Sequence, residues 1–170
     1  MRAQVLHSPA SITSGPLRSE DSPAPTPGPA DLLLEVFACG VCRTDLQLVE
    51  GDLAPRKLPV VPGHQVVGRV TAVGDDVRDW RIGDRAGVAW FAGACGECRH
   101  CLNGRENLCE AAEFTGWDRD GGYAEQIVVR ADYAFRLPPD FSDLAAAPLL
   151  CGGVIGYRSL LISGVQPGER

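Results

Sequence analysis

The chain has 170 residues, 45% of them hydrophobic and 22% charged, a length and balance that suit one domain with a real core. Its formal net charge of −6 and scattered arginines argue against a nucleic acid partner. No apolar run reaches membrane-spanning length, and the N-terminus lacks the long apolar core of a signal peptide, so a cytoplasmic protein without a membrane is expected.

Twenty glycines and thirteen prolines favour short strands joined by turns over long helices. Ala3 to Leu6 reads as a short strand, with His7 at its end as a surface residue. Prolines 16, 23, 25, 27 and 29 mark residues 15–30 as an extended loop. Residues 31–39, Asp-Leu-Leu-Leu-Glu-Val-Phe-Ala-Cys, form an apolar strand that Gly40 breaks. Val41 to Val49 reads as a short helix stopped at Gly51. A proline-marked loop runs from Leu53 to Gly63. Gln65 to Val73 reads as a strand, and Ala86 to Trp90 as another. Tyr123 to Val129 and Tyr133 to Arg136 read as two more. Ser142 is a candidate N-cap for a helical Asp143 to Ala147, closed by Pro148. Gly153 to Ile162 forms a last helix, and residues 164–170 a polar turn. The expected body is mostly β with a few short helices.

A lobe at residues 93–110 interrupts this pattern. It carries Cys95, Cys98, Cys101 and Cys109 with the spacing Cys-x2-Cys-x2-Cys-x7-Cys. Short x2 spacings let one tight turn present several sulfurs to one ion. Four thiolates closing a tetrahedron make a structural zinc site. Disulfides fit adjacent x2 cysteines poorly and belong to small secreted chains. An iron–sulfur cluster is a rival reading, although bacterial ferredoxins place a fourth Cys and a Pro sooner.

Seven cysteines less these four leave Cys39, Cys42 and Cys151. A catalytic zinc takes three protein ligands and keeps a fourth position open. Cys42, His64 and Cys151 would supply such a set, and each lies at a break between elements. Taken singly, each has a plainer reading as a buried thiol or a satisfied histidine.

The surrounding phrases narrow the choice. Gly40-Val-Cys-Arg-Thr-Asp45, Pro62-Gly-His64, Gly83-Asp-Arg85, the four-cysteine lobe and Gly121-Gly-Tyr-Ala-Glu125 follow in this order. Together they closely resemble the zinc-dependent alcohol dehydrogenases of the medium-chain dehydrogenase/reductase superfamily. The resemblance implies a GroES-like β-barrel catalytic domain over residues 1–151. It implies two zincs per chain, a catalytic one on Cys42, His64 and Cys151 and a structural one on the lobe cysteines. By the same resemblance Thr44 begins a proton relay, Asp45 orients His64, Arg43 meets the cofactor pyrophosphate, and Trp90 is a wall of the substrate pocket or plain core. Cys39 matches no ligand and reads as a small buried residue. His100 reads as facing solvent. Two positions depart from the family. Gln65 stands where a glutamate is usual, and Gln47 where the relay often ends in histidine.

The implied activity is hydride exchange between an alcohol or aldehyde and NAD or NADP, by a homo-oligomer. The Gly-x-Gly-x-x-Gly fingerprint of a dinucleotide-binding fold does not occur in these residues. Residues 152–170 are therefore expected to begin the connection to such a Rossmann domain outside this sequence. A non-enzymatic zinc-binding module or scaffold is the alternative reading.

Overall fold

The computed structural model describes residues 1–166, 168 and 169. Strands dominate. The main sheet has five, all antiparallel: β3 (Asp31–Cys39), β4 (Val66–Val73), β5 (Arg85–Val88), β8 (Gln126–Arg130) and β9 (Ala134–Arg136), in the order β8-β3-β4-β5-β9. Two small pairs flank it. One joins β1 (Arg2–Leu6) to β2 (Leu17–Asp21), and the other joins β6 (Phe91–Gly93) to β7 (Glu113–Phe114).

The sheet forms because its strands alternate. Leu32 and Leu34 of β3, and Ile127 and Val129 of β8, are buried, while their neighbours in sequence are more open. These four pack with Val66, Val70, Ala86 and Val88 into the largest core cluster. Period-two patterning of this kind turns alternate side chains to one face. The β3–β4 register shifts twice, between Leu33 and Leu34 and between Val36 and Ala38. Such bulges bend a strand and sharpen its twist, and the sheet curls into the half-barrel of a GroES-like domain.

Helix α1 (Arg43–Glu50) follows β3 directly. Asp45 in its first turn accepts a hydrogen bond from the Cys42 backbone N–H at 2.8 Å, which satisfies a donor the helix itself leaves free. Gly51 ends the helix in the left-handed conformation at φ 91°. Helix α2 (Asp143–Ala146) starts at Ser142, whose Oγ accepts from the Ala145 N–H at 3.3 Å. Helix α3 (Gly152–Ser163) has no buried residue.

The structure corrects three sequence expectations and adds two short strands beside the lobe. Residues 15–30 are not loop throughout, because Leu17–Asp21 carries no proline between Pro16 and Pro23 and pairs with β1. The segment at residues 121–125 is not yet regular strand. It turns across β1 instead, with Gln4 N–H donating to the Tyr123 carbonyl at 2.8 Å and Glu125 N–H to that of Arg2 at 3.1 Å. Pro148 does not close α2, since it sits early in a 3-10 helix, Ala147–Leu150, where a missing N–H costs nothing. The strands beside the lobe are too short, at three and two residues, to show an alternation. The polar turn expected over 164–170 includes Pro167 and Arg170, which lie outside the described residues. Among the described residues no single helix is long and apolar enough to cross a membrane.

Candidate active site and metal centres

Three junctions converge. Cys42 immediately precedes α1, His64 lies between the buried run Val60–Gly63 and β4, and Cys151 separates the 3-10 helix from α3. Their ligand atoms all lie within 4.8 Å of one another, and the two sulfurs are 4.0 Å apart. Two thiolates on a tetrahedral zinc, with bonds of about 2.3 Å, would stand about 3.8 Å apart. The spacing therefore fits the ion.

Asp45 holds this group together. Its Oδ2 accepts from Cys42 N–H at 2.8 Å, and its Oδ1 accepts from Gly63 N–H at 3.1 Å and from His64 Nδ1 at 3.2 Å. An ionised carboxylate can only accept, so Nδ1 carries the proton and the Nε2 lone pair is left free for a ligand bond. Burial alone would lower the His64 pKa, but Asp45 and Cys42 outweigh it and raise it. Burial likewise opposes ionisation of Cys42, yet hydrogen bonds from Thr44 and the neighbouring His64 bring its pKa down. Cys151 goes the other way, to about 11, through burial and the charges of Cys42 and Asp45. One thiolate disfavours the next until a cation neutralises both. A divalent cation could be held by such a group.

The lobe makes a second, tighter cluster. Cys98 and Cys101 sulfurs are 3.5 Å apart, Cys95 and Cys109 3.5 Å, and Cys95 and Cys101 3.9 Å. All seven cysteines are free thiols. Backbone N–H groups of Glu97 and Cys98 pull Cys95 down to about 7, while desolvation and the neighbouring sulfurs push Cys101 up to about 12. Two short 3-10 turns, Cys101–Asn103 and Glu106–Leu108, bring the sulfurs round. Buried Ala94 and Ala112 pack beside Cys109 and anchor the lobe to β6 and β7. Four soft donors at these separations fit a closed zinc site.

Beside Cys42, His64 and Cys151 lies a cavity of about 290 Å³. Thr44, His64 and Cys151 form part of its lining, and Trp90, Phe114 and Trp117 supply aromatic surface.

The alcohol dehydrogenase GroES-like domain model matches residues 28–139. The chain belongs to that family. The GroES-like domain is 48% identical to "Probable alcohol dehydrogenase AdhA" of Mycobacterium tuberculosis over 175 residues, covering 100% of this chain and 51% of that protein. A cobalt- and zinc-bound thermostable alcohol dehydrogenase from Pyrobaculum aerophilum has the same fold, with a TM-score of 0.89 at 30% identity, covering 99% of this chain and 50% of that one. A solved NAD-dependent alcohol dehydrogenase gives a TM-score of 0.92, also at 30% identity, covering 99% and 49%. The chain thus spans about half the length of the relatives it matches.

Within this GroES-like domain the other expected residues fall as follows. Thr44 is exposed in the first turn of α1, its Oγ1 3.8 Å from Cys42 Sγ. Arg43 is exposed beside it. Gln65 is buried next to Cys151 and does not line the cavity. Trp90 lines the cavity. Cys39 packs under the site, where burial pushes its thiol up to about 12. His100 does not simply face solvent, because its Nδ1 is enclosed without a hydrogen-bond partner. Sequence reading missed Phe114 and Trp117. Their spacing of three just after the lobe was the available signal.

Proposed function

We propose that these residues form the catalytic half of a zinc-dependent, NAD(P)-dependent alcohol dehydrogenase that interconverts alcohols with aldehydes or ketones. The convergence of Cys42, His64 and Cys151, the last two on the wall of an apolar cavity, carries this reading. Those three residues would hold a catalytic zinc, and Cys95, Cys98, Cys101 and Cys109 a structural one, two per chain. When bound, the first ion would supply a Lewis acid for the substrate oxygen.

The chain's own residues set up the rest. Asp45 fixes the His64 ring and its tautomer, so the Nε2 lone pair does not wander. Thr44 presents a hydroxyl beside Cys42 on the cavity wall, where it accepts the alcohol proton and passes it outward. Gln47 cannot take up that proton, so the relay ends in solvent. Trp90, Phe114, Leu48 and Leu53 keep water from the reacting end. Arg43 projects from the start of α1, suited to a pyrophosphate.

Residues 1–151 make up the domain on this reading, with the lobe at 93–110. Residues 152–170 lead towards a dinucleotide-binding half like that of the longer relatives. The unburied α3, with Tyr157, Leu160, Leu161 and Ile162 all more than 60% exposed, supports this division. A cytoplasmic homo-oligomer acting on small alcohols or aldehydes completes the proposal.

Metal analysis of the purified chain and of His64→Ala tests it. Two zincs in the parent and one in the variant are expected, and a single zinc in the parent overturns the reading. The chemistry is tested by NAD(P)H formation from an alcohol panel, using a polypeptide extended to the relatives' length. No turnover on any alcohol by a fully zinc-loaded protein rejects the activity.

A further inference from the structure

Trp90, Phe114 and Trp117 form a row of rings on the cavity wall. Trp90 and Phe114 centroids are 5.8 Å apart with 22° between planes, and Phe114 and Trp117 are 5.5 Å apart with 34°. The last ring is held from several directions. Trp117 Nε1 donates to the Ala54 carbonyl at 2.9 Å. The Arg56 guanidinium lies over the same ring, 4.0 Å from its centroid, and 5.5 Å from that of Phe114. Arg56 Nη1 stands 3.4 Å from both carboxylate oxygens of Asp118, and Asp118 Oδ2 accepts from Phe114 N–H at 2.9 Å. The loop carrying Arg56 is thereby tied to the strand and turn that carry Phe114 and Trp117.

The arginine's value here is its shape. A partly exposed ion pair contributes little on its own, and Arg56 and Asp118 side chains are 48% and 18% exposed. A flat guanidinium stacked on an indole restricts the ring in a way a lysine ammonium does not.

We propose that Arg56 pins Trp117 as one face of an aromatic slot, and that this slot selects flat aryl alcohols and aldehydes over saturated ones of the same size. The proposal rests on the dehydrogenase reading above and adds the substrate class. A planar ring entering the cavity meets other rings edge-to-face or offset, an interaction a saturated ring cannot make. Leu48, Leu53 and Ile155 supply the remaining apolar lining, while Thr44, His64 and Cys151 mark the end where the hydroxyl must point. Arg56 acts only through Trp117 and is a positioning residue.

Benzyl alcohol and cyclohexylmethanol share a carbon skeleton and differ in flatness. Each is titrated into the zinc-loaded chain while tryptophan fluorescence is followed, since Trp90 and Trp117 line the cavity and Trp80 does not. Benzyl alcohol should bind about tenfold more tightly, the upper range of one or two aromatic contacts. Arg56→Met should bring that ratio towards one and make the fluorescence more open to acrylamide quenching, with zinc content unchanged. Arg56→Lys should restore little of either. Equal affinity of the parent for both alcohols overturns the slot and leaves the dehydrogenase reading standing. Binding of neither alcohol overturns the slot as well, while the dehydrogenase reading is decided by turnover of the extended polypeptide. An Arg56→Met variant with unchanged ratio and quenching removes Arg56 from the device.

Discussion

Asp45 stands directly behind His64, with Oδ1 3.2 Å from Nδ1 and both side chains only 6% exposed. The same carboxylate takes the Cys42 and Gly63 N–H groups, so one residue sets the position of two candidate ligands. Asp45→Asn keeps the shape and removes the charge. It should weaken zinc binding at this site about 10- to 100-fold, the usual effect of losing such a partner, and leave the lobe zinc untouched. Competition against a chromophoric chelator measures both affinities. Unchanged affinity at the Cys42 site would show that the carboxylate does not act through the histidine.

The two clusters differ in closure, and their metals should differ in lability. Four thiolates surround the lobe position, whereas Cys42, His64 and Cys151 leave one side towards the cavity. A chelator should strip the three-ligand site first. Cys98→Ser should lower thermal stability, because a structural metal's binding energy is folding energy. His64→Ala should instead remove the metal of the three-ligand site while the lobe keeps its own. Equal loss rates for the two metals would contradict this assignment of roles.

The phrase Gly121-Gly122-Tyr123 has a packing reason. A Cβ on Gly121 would lie 2.1 Å from the Gly63 carbonyl oxygen and 2.6 Å from that of Pro62, both backbone atoms. Gly63 itself has φ 97°, and Tyr123 packs its ring against it. The turn before β8 therefore buttresses the backbone that presents His64. Gly121→Ala should cost about 3 kcal/mol through overpacking and should weaken the neighbouring zinc. Gly156→Ala, in α3 with nothing within 4 Å of the added atom, should instead stabilise by roughly 0.5–1 kcal/mol. Urea denaturation of both variants checks the contrast. A Gly121→Ala protein as stable as the parent refutes the buttress.

Local chemistry was legible in the sequence where it repeats at short range. The lobe spacing, the alternation of Leu32, Leu34, Ile127 and Val129, and the glycine stop after α1 all act within a few residues. Cys42, His64 and Cys151 were legible only as a set matching known phrases, since they are far apart in the chain and each alone is an ordinary buried residue. Arg56 and Trp117 were not legible together. Sixty residues of sequence separate them, and only the fold brings a loop arginine over an indole. The strand Leu17–Asp21 was masked by the prolines on either side, because proline density was read as a property of the whole segment and not of each N–H.

Gln65 offers the sharpest test of how charge is distributed around the candidate catalytic metal. It is buried at 4% exposure, and its amide donates towards Cys151, which lowers that thiol's pKa against the larger effect of burial. Gln65→Glu replaces a donor with a carboxylate of nearly the same shape. In the metal-free protein that carboxylate lies beside the Cys151 sulfur with no metal to neutralise it, and burying an unpaired charge or protonating it both cost free energy. The metal-free variant should lose about 1–3 kcal/mol, or roughly 2–4 °C of melting temperature for each kcal/mol in a chain of this size. Zinc would reverse the balance by neutralising the added charge. The gain in melting temperature on adding zinc should therefore be larger for Gln65→Glu than for the parent. Calorimetry of both proteins with and without metal gives the four numbers needed. A metal-free variant that melts with the parent, or a smaller gain on zinc addition, would mean that residue 65 does not feel the charge of the site.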